Sequence, residues 1–182
     1  MIGHLQPIEI YDYYGRVTPQ PRLAVVIGRV ARHTSAAEAL SCVYGYTVFN
    51  DVTGSDMATE DSGYTARSHG CDTFGPMGPW LVTTNEIADP NHLEVSCHLN
   101  GELILEGSTG DLKRSVSETI AFISKFQTLE PGDVVCFGLD MTIGPDKKSR
   151  ADLIDLQSKN GLLEISINGI CALSNPVTQR SD

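Results

Sequence analysis

Two Asn-Gly pairs constrain this chain more than anything else in it. Asn100-Gly101 sits inside the run Leu93–Leu105, and Asn168-Gly169 sits inside Leu162–Leu173. Asparagine and glycine tolerate the positive φ angles that a tight type I′ turn demands, and the flanking runs have strand character. Two antiparallel hairpins are therefore expected. A valine-rich run, Leu23–Ala31, also has strand length, and Tyr46–Val52 and Val134–Leu139 read as strands too. Ser35 with Glu38 and Ser115 with Glu118 are capping boxes, in which each side chain satisfies an orphan amide at a helix start. The first opens a helix through Ala36, Ala39, Leu40 and Val43 that Gly45 should stop; the second should run through Phe126. Gly54–Gly70 is polar and glycine-containing, and reads as a mobile loop. The expected class is α+β, mostly β, with a folded-over or barrel-like sheet and a few short helices.

With 182 residues the chain suits one domain, residues 1–182, with a short N-terminal segment at 1–22 and a frayed tail at 178–182. Its net charge of -10 would repel phosphate, so neither nucleic acid nor an anionic membrane is an expected partner. No apolar run approaches the roughly 18 residues of a membrane span. The opening residues have neither the basic nor the apolar region of a secretory signal. Cys42, Cys71, Cys97, Cys136 and Cys171 are scattered singly, which fits a reducing, cytoplasmic setting with mostly buried thiols. Cys71 has the most reactive-looking neighbourhood.

Seven segments together resemble the fumarylacetoacetate hydrolase family. They are LAVVIGRVAR (Leu23–Arg32), the stretch ending Tyr44-Gly45-Tyr46-Thr47, NDVTGSD (Asn50–Asp56), DTFGPMGPWLVT (Asp72–Thr83), the Asn100-Gly101-Glu102 turn, LEPGDVVCFG (Leu129–Gly138) and LEISINGICALSNPV (Leu163–Val177). They follow the family's order and spacing from Leu23 onward. The resemblance implies a mixed β-roll, a homodimer, and a site at one mouth of the roll that binds Mg²⁺ through oxygen ligands and grips an enolisable carbonyl compound. It also implies that a small N-terminal region and a histidine-bearing segment found in many members are missing here.

Residue by residue, the carry-over departs from the family. Its two glutamate ligands, which strand alternation points to one side, fall at Gln20 and Arg22. Its aspartate ligand survives as Asp51. Its arginine and glutamine fall at Ser55 and Ala58, its lysine at His69, and its substrate-binding threonine at Leu139; Asp72 is retained. A guanidinium beside one carboxylate is a poor setting for a hard cation, so no metal and no other cofactor is expected.

Arg22, Asp51 and His69 are the candidate catalytic residues. Arg22 would hold a developing oxyanion, and its bland alternative is a surface arginine in a weak ion pair. Asp51 would anchor Arg22 or act as a base, or else merely cap a loop. His69 would transfer protons, or else be simply exposed. Gln20, Ser55, Asp72, Phe74, Leu139 and Asp140 are the candidate substrate-binding residues. Tyr44, Tyr46, Phe49 and Phe74 are otherwise core aromatics, with Phe74 also placed to line a pocket mouth. His4, His33, His92 and His98 share no spacing and carry no expected chemistry.

Three functional readings follow. In the first, a metal-independent biosynthetic enzyme acts on a bulky carbonyl-containing small molecule by cyclisation (a Diels–Alder type step included), isomerisation or decarboxylation. The second is a Mg²⁺-dependent hydrolase or decarboxylase of a keto acid, with ligands rearranged among Asp51, Asp72, Asp140 and Glu60. The third is a non-catalytic copy that binds a ligand or dimerises.

Overall fold

A computed structural model of the chain describes residues 1–62, 64–139, 141–143, 148–149 and 154–181. The strands are β1 (Ile8–Tyr11), β2 (Val17–Thr18), β3 (Pro21–Ile27), β4 (Val43–Asn50), β5 (Thr53–Gly54), β6 (Met77–Thr83), β7 (Glu94–Leu99), β8 (Glu102–Ser108), β9 (Val134–Gly138), β10 (Thr142–Ile143), β11 (Lys148–Ser149), β12 (Gly161–Ile167) and β13 (Cys171–Arg180). The α-helices are short: α1 (Ala36–Ala39), α2 (Ser55–Glu60), α3 (Ala66–Gly70) and α4 (Val116–Ser124). None is long and apolar enough to cross a membrane.

Seven strands form one sheet in the order β1-β13-β12-β7-β8-β10-β11, four form a second in the order β6-β4-β3-β9, and β2 pairs with β5. All pairings are antiparallel except β1 with β13, so the large sheet is mixed. Alternation explains how the two sheets share a core. Leu23, Val25 and Ile27 of β3 are buried on one face, and so are Leu163, Ile165 and Ile167 of β12. Both sets belong to one continuous apolar cluster. The outcome is the expected mostly β roll with few helices.

Both hairpins form. Asn100 and Gly101 take φ of 53° and 82°, as a type I′ turn requires. The second turn is a residue longer, since Ile167 pairs with Cys171 and only Gly169 (φ 78°) is left-handed.

Several local expectations differ from the structure. The chain after Ser35 makes one α-turn and a 3₁₀ turn, then enters β4 at Val43. Gly45 lies inside that strand rather than at a helix stop: a Cβ there would sit 2.4 Å from the Val82 carbonyl oxygen on β6, so the glycine permits a close strand approach. Strand β3 ends at Ile27, where the amides of Gly28 and Arg29 turn to the Cys42 carbonyl. Thr178–Arg180 do not fray, because they pair with Glu9–Tyr11 of β1 and Arg180 Nε donates to Glu9 at 3.1 Å. Through the same pairing β1, within the short N-terminal segment, forms the edge of the large sheet. The polar stretch Gly54–Gly70 holds α2 and α3 rather than a loop. There Arg67 bonds to Glu60 at 2.8 Å and to Asp61 at 2.9 Å, which fixes the segment carrying His69. Only Cys42 and Cys97 are fully buried; Cys71 and Cys171 are partly so and Cys136 is exposed.

Candidate active site

Register brings the catalytic candidates together. Arg22 lies on β3 between Phe49 of β4 and Gly138 of β9. Asp51 follows β4 directly, and its amide donates to the Gln20 carbonyl at 2.9 Å, while the Gln20 amide donates to the buried Asn50 side chain at 3.0 Å. These bonds fix Gln20, Arg22 and Asp51 side by side. Arg22 Nη2 then donates to Gln20 Oε1 at 2.5 Å and to Asp51 Oδ2 at 3.1 Å. The other oxygen, Asp51 Oδ1, is 2.9 Å from His69 Nδ1 at the end of α3. With Nδ1–H assigned as the donor, His69 Nε2 is left as a proton acceptor. The Arg22, Asp51 and His69 side chains are 23%, 25% and 33% exposed. All three are thus wet enough to reach substrate and dry enough for the pairing to matter.

The fork has a shaped seat. A Cβ on Gly138 would lie 2.0 Å from Arg22 Nη1, so the guanidinium occupies space that only glycine leaves open. Arg22 lines a cleft of about 700 Å³ whose wall also includes Gly138, Leu139, Lys113, Arg114 and Thr119. Asp51 and His69 do not line it, but Asp51 joins the two, touching the guanidinium with one oxygen and the imidazole with the other. A larger groove of about 1040 Å³ crosses β7, β8 and β12 past Ser96, Glu106 and Ser166, and contains none of the candidates. The smaller cleft is the better site because its wall carries the preorganised cation.

The remaining candidates separate. Ser55 bonds to Thr18 (Oγ–Oγ 2.9 Å) at the start of α2. Asp72 is exposed in a turn latched to β1 through Thr73, whose Oγ1 accepts from the Glu9 amide at 2.9 Å. Phe74 is corrected to a core residue: it is 2% exposed and meets Tyr14 edge to face. Tyr46 fills the core as expected, but Tyr44 points to solvent. Asp140 lies outside the described residues. Cys71 is no thiolate, since burial pushes its pKa up. Cys136, which feels both Asp51 and Arg22, is raised to about 11, first by desolvation and then by the Asp51 charge. Lys113, Arg114 and Gly138 were not singled out from the sequence; the one local signal was their nearness to the second capping box and to the end of a strand.

The residues do not fit a hard dication. Mg²⁺ wants several oxygen ligands. Here Asp51 spends one oxygen on a guanidinium and the other on an imidazole, and the Gln20 oxygen accepts from Arg22. Glu60 is held by Arg67. Among the described residues no group of three His, Cys, Asp or Glu side chains converges.

Comparison with known proteins places this geometry. A 5-carboxymethyl-2-hydroxymuconate delta-isomerase from Mycobacterium smegmatis superposes with a TM-score of 0.83 at 31% identity, over 99% of this chain and 66% of that one. A fumarylacetoacetate hydrolase from Exiguobacterium antarcticum gives a TM-score of 0.85 at 32% identity, over 98% of this chain and 62% of that one. The rat mitochondrial oxaloacetate tautomerase Fahd2a is 36% identical over 126 residues, 69% of this chain and 40% of the rat protein. The chain thus spans under two thirds of the length of these relatives. The sequence profile "Fumarylacetoacetate (FAA) hydrolase C-terminal" matches residues 1–178, and with the fold agreeing throughout, the chain belongs to the fumarylacetoacetate hydrolase family of enzymes.

Proposed function

We propose that the chain catalyses metal-independent isomerisation, by proton transfer, of an enolisable carbonyl compound. The observation that carries this reading is the Arg22 guanidinium, fixed by Gln20 and Asp51 and seated on Gly138 at the cleft wall. In this reading Nη1–H donates to the carbonyl oxygen. Removal of the α-proton moves the C–H electron pair into a C=C bond and puts the negative charge on that oxygen, where the guanidinium stabilises it. In this reading the substrate extends from the cleft past the guanidinium to His69, whose Nε2 takes the proton and returns it to carbon or oxygen, with Asp51 stabilising the imidazolium. The isomerase and tautomerase activities named for two of the relatives support this direction. Cyclisation and decarboxylation, the other outcomes expected from the sequence, gain no support from those names.

The test is the decay of the oxaloacetate enol absorbance in buffer containing EDTA. Catalysis should survive the chelator, and His69→Gln should cut the rate by about 10²-fold while leaving the melting temperature unchanged. Loss of all activity in EDTA, restored by Mg²⁺, would sink the metal-independent mechanism.

We further propose a homodimer. On β6, at the edge of the small sheet, the Trp80 ring is 60% exposed, a large apolar side chain that a second copy would cover. Sedimentation equilibrium should return twice the chain mass, and Trp80→Glu should shift it to the monomer. A monomeric parent protein refutes this.

A further inference from the structure

We infer that Lys113 and Arg114 form a specificity subsite for a carboxylate that the substrate carries at a distance from its reacting carbonyl. The inference rests on the reading of Arg22 as the carbonyl's partner. Lys113 and Arg114 line the same cleft as Arg22, and they approach it from the segment that leads into α4, whereas Arg22 comes from β3. Only 13 lysines and arginines occur in a chain whose net charge is -10, yet three of them line this one cleft. The local field is therefore the reverse of the global one, which draws an anion to this wall rather than elsewhere on the surface.

The two cations are not spent on each other's neighbours. Among the described residues neither Lys113 nor Arg114 forms an ion pair, in contrast to Arg16, Arg22, Arg67 and Arg180. Arg114 Cζ instead lies over the Phe122 ring, 4.7 Å from its centroid, a contact that uses none of its N–H donors on a carboxylate. Glu118 feels Arg114, but its Oε2 is committed to Ser115 in the capping box and it does not line the cleft. Among the described residues Asp111 is the one acid on the wall. With Arg22 offset by Asp51, the two cations outnumber Asp111 among the described lining residues, which suits an anionic carboxylate. A cleft of about 700 Å³ falls inside the usual range of roughly 300–1,000 Å³ for small-molecule sites, so one ligand can reach both ends.

The test uses 4-oxopentanoate, which separates a carbonyl from a carboxylate, and its neutral methyl ester, each titrated calorimetrically into the full chain. The acid should bind about tenfold more tightly than the ester, and added salt should erase the difference. The K113Q/R114Q double variant should lower affinity for the acid about tenfold and leave the ester unaffected, whereas Arg22→Gln should weaken both ligands. Equal binding of acid and ester, an unchanged double variant, or no binding of 4-oxopentanoate overturns the subsite. If Arg22→Gln changes nothing while the double variant still loses the acid, the subsite stands and the reading of Arg22 falls instead. Matched circular dichroism melts exclude unfolding as the cause.

Discussion

Arg22→Ala is expected to lower kcat/KM for enol–keto interconversion by about 10²-fold or more, the scale on which removing one oxyanion donor acts. The argument is geometric. Two hydrogen bonds, 2.5 Å to Gln20 and 3.1 Å to Asp51, hold the guanidinium before substrate arrives, so little reorganisation is needed when charge develops. The loss should appear in kcat more than in KM, because the interaction strengthens as the oxygen gains charge. Stability should fall by only about 1 kcal/mol, since the pair is a quarter exposed and Asp51 keeps His69. Arg22→Lys should not rescue fully: an ammonium keeps the charge but cannot bond Gln20, Asp51 and substrate in one plane. Steady-state kinetics beside a thermal melt separate these outcomes. Full activity in a folded Arg22→Ala protein would remove Arg22 from the mechanism.

The second large effect is expected at a residue with no side chain. In Gly138→Ala the new methyl would lie 2.0 Å from Arg22 Nη1 and 3.3 Å from Cζ, so the guanidinium must move by more than an ångström. Misplacement on that scale costs about 10²-fold in rate. The fold should tolerate the change, since Gly138 has no left-handed φ and the clash is with the end of a flexible side chain. The melting temperature should therefore stay near that of the parent while kcat falls. The Arg22→Ala/Gly138→Ala double variant should be no slower than Arg22→Ala alone, because both changes remove one interaction. An additive loss in the double variant would show that Gly138 acts in some way other than seating Arg22.

Part of the site was legible without coordinates. The family resemblance singled out Gln20 and Arg22, and their spacing of two with strand alternation put them on one side. Asp51 was legible only through the family resemblance, as the retained aspartate of the Asn50-Asp51 pair. The partnership of Asp51 with His69 was not, because 18 residues and two unforeseen helices separate them. Both helices are short, and short helices are held by tertiary contacts such as Arg67 with Asp61 rather than by propensity. Phe74 shows the opposite error: its aromatic character suited a pocket mouth and a core equally, and only the ring of Tyr14 decides between them.

The sequence alone determined what local chemistry controls: two turns that need left-handed residues, two capping boxes, and the alternating faces that make the sheets. The tertiary structure decided where distant backbones meet. Gly45 reads as a helix stop until the Val82 carbonyl is seen 2.4 Å from its absent Cβ, and Gly138 reads as a strand end until Arg22 is seen filling its space. A glycine carries no side chain from which its neighbour can be inferred. Its role is defined by the atom that approaches it, and that atom is brought there by the packing of the whole chain.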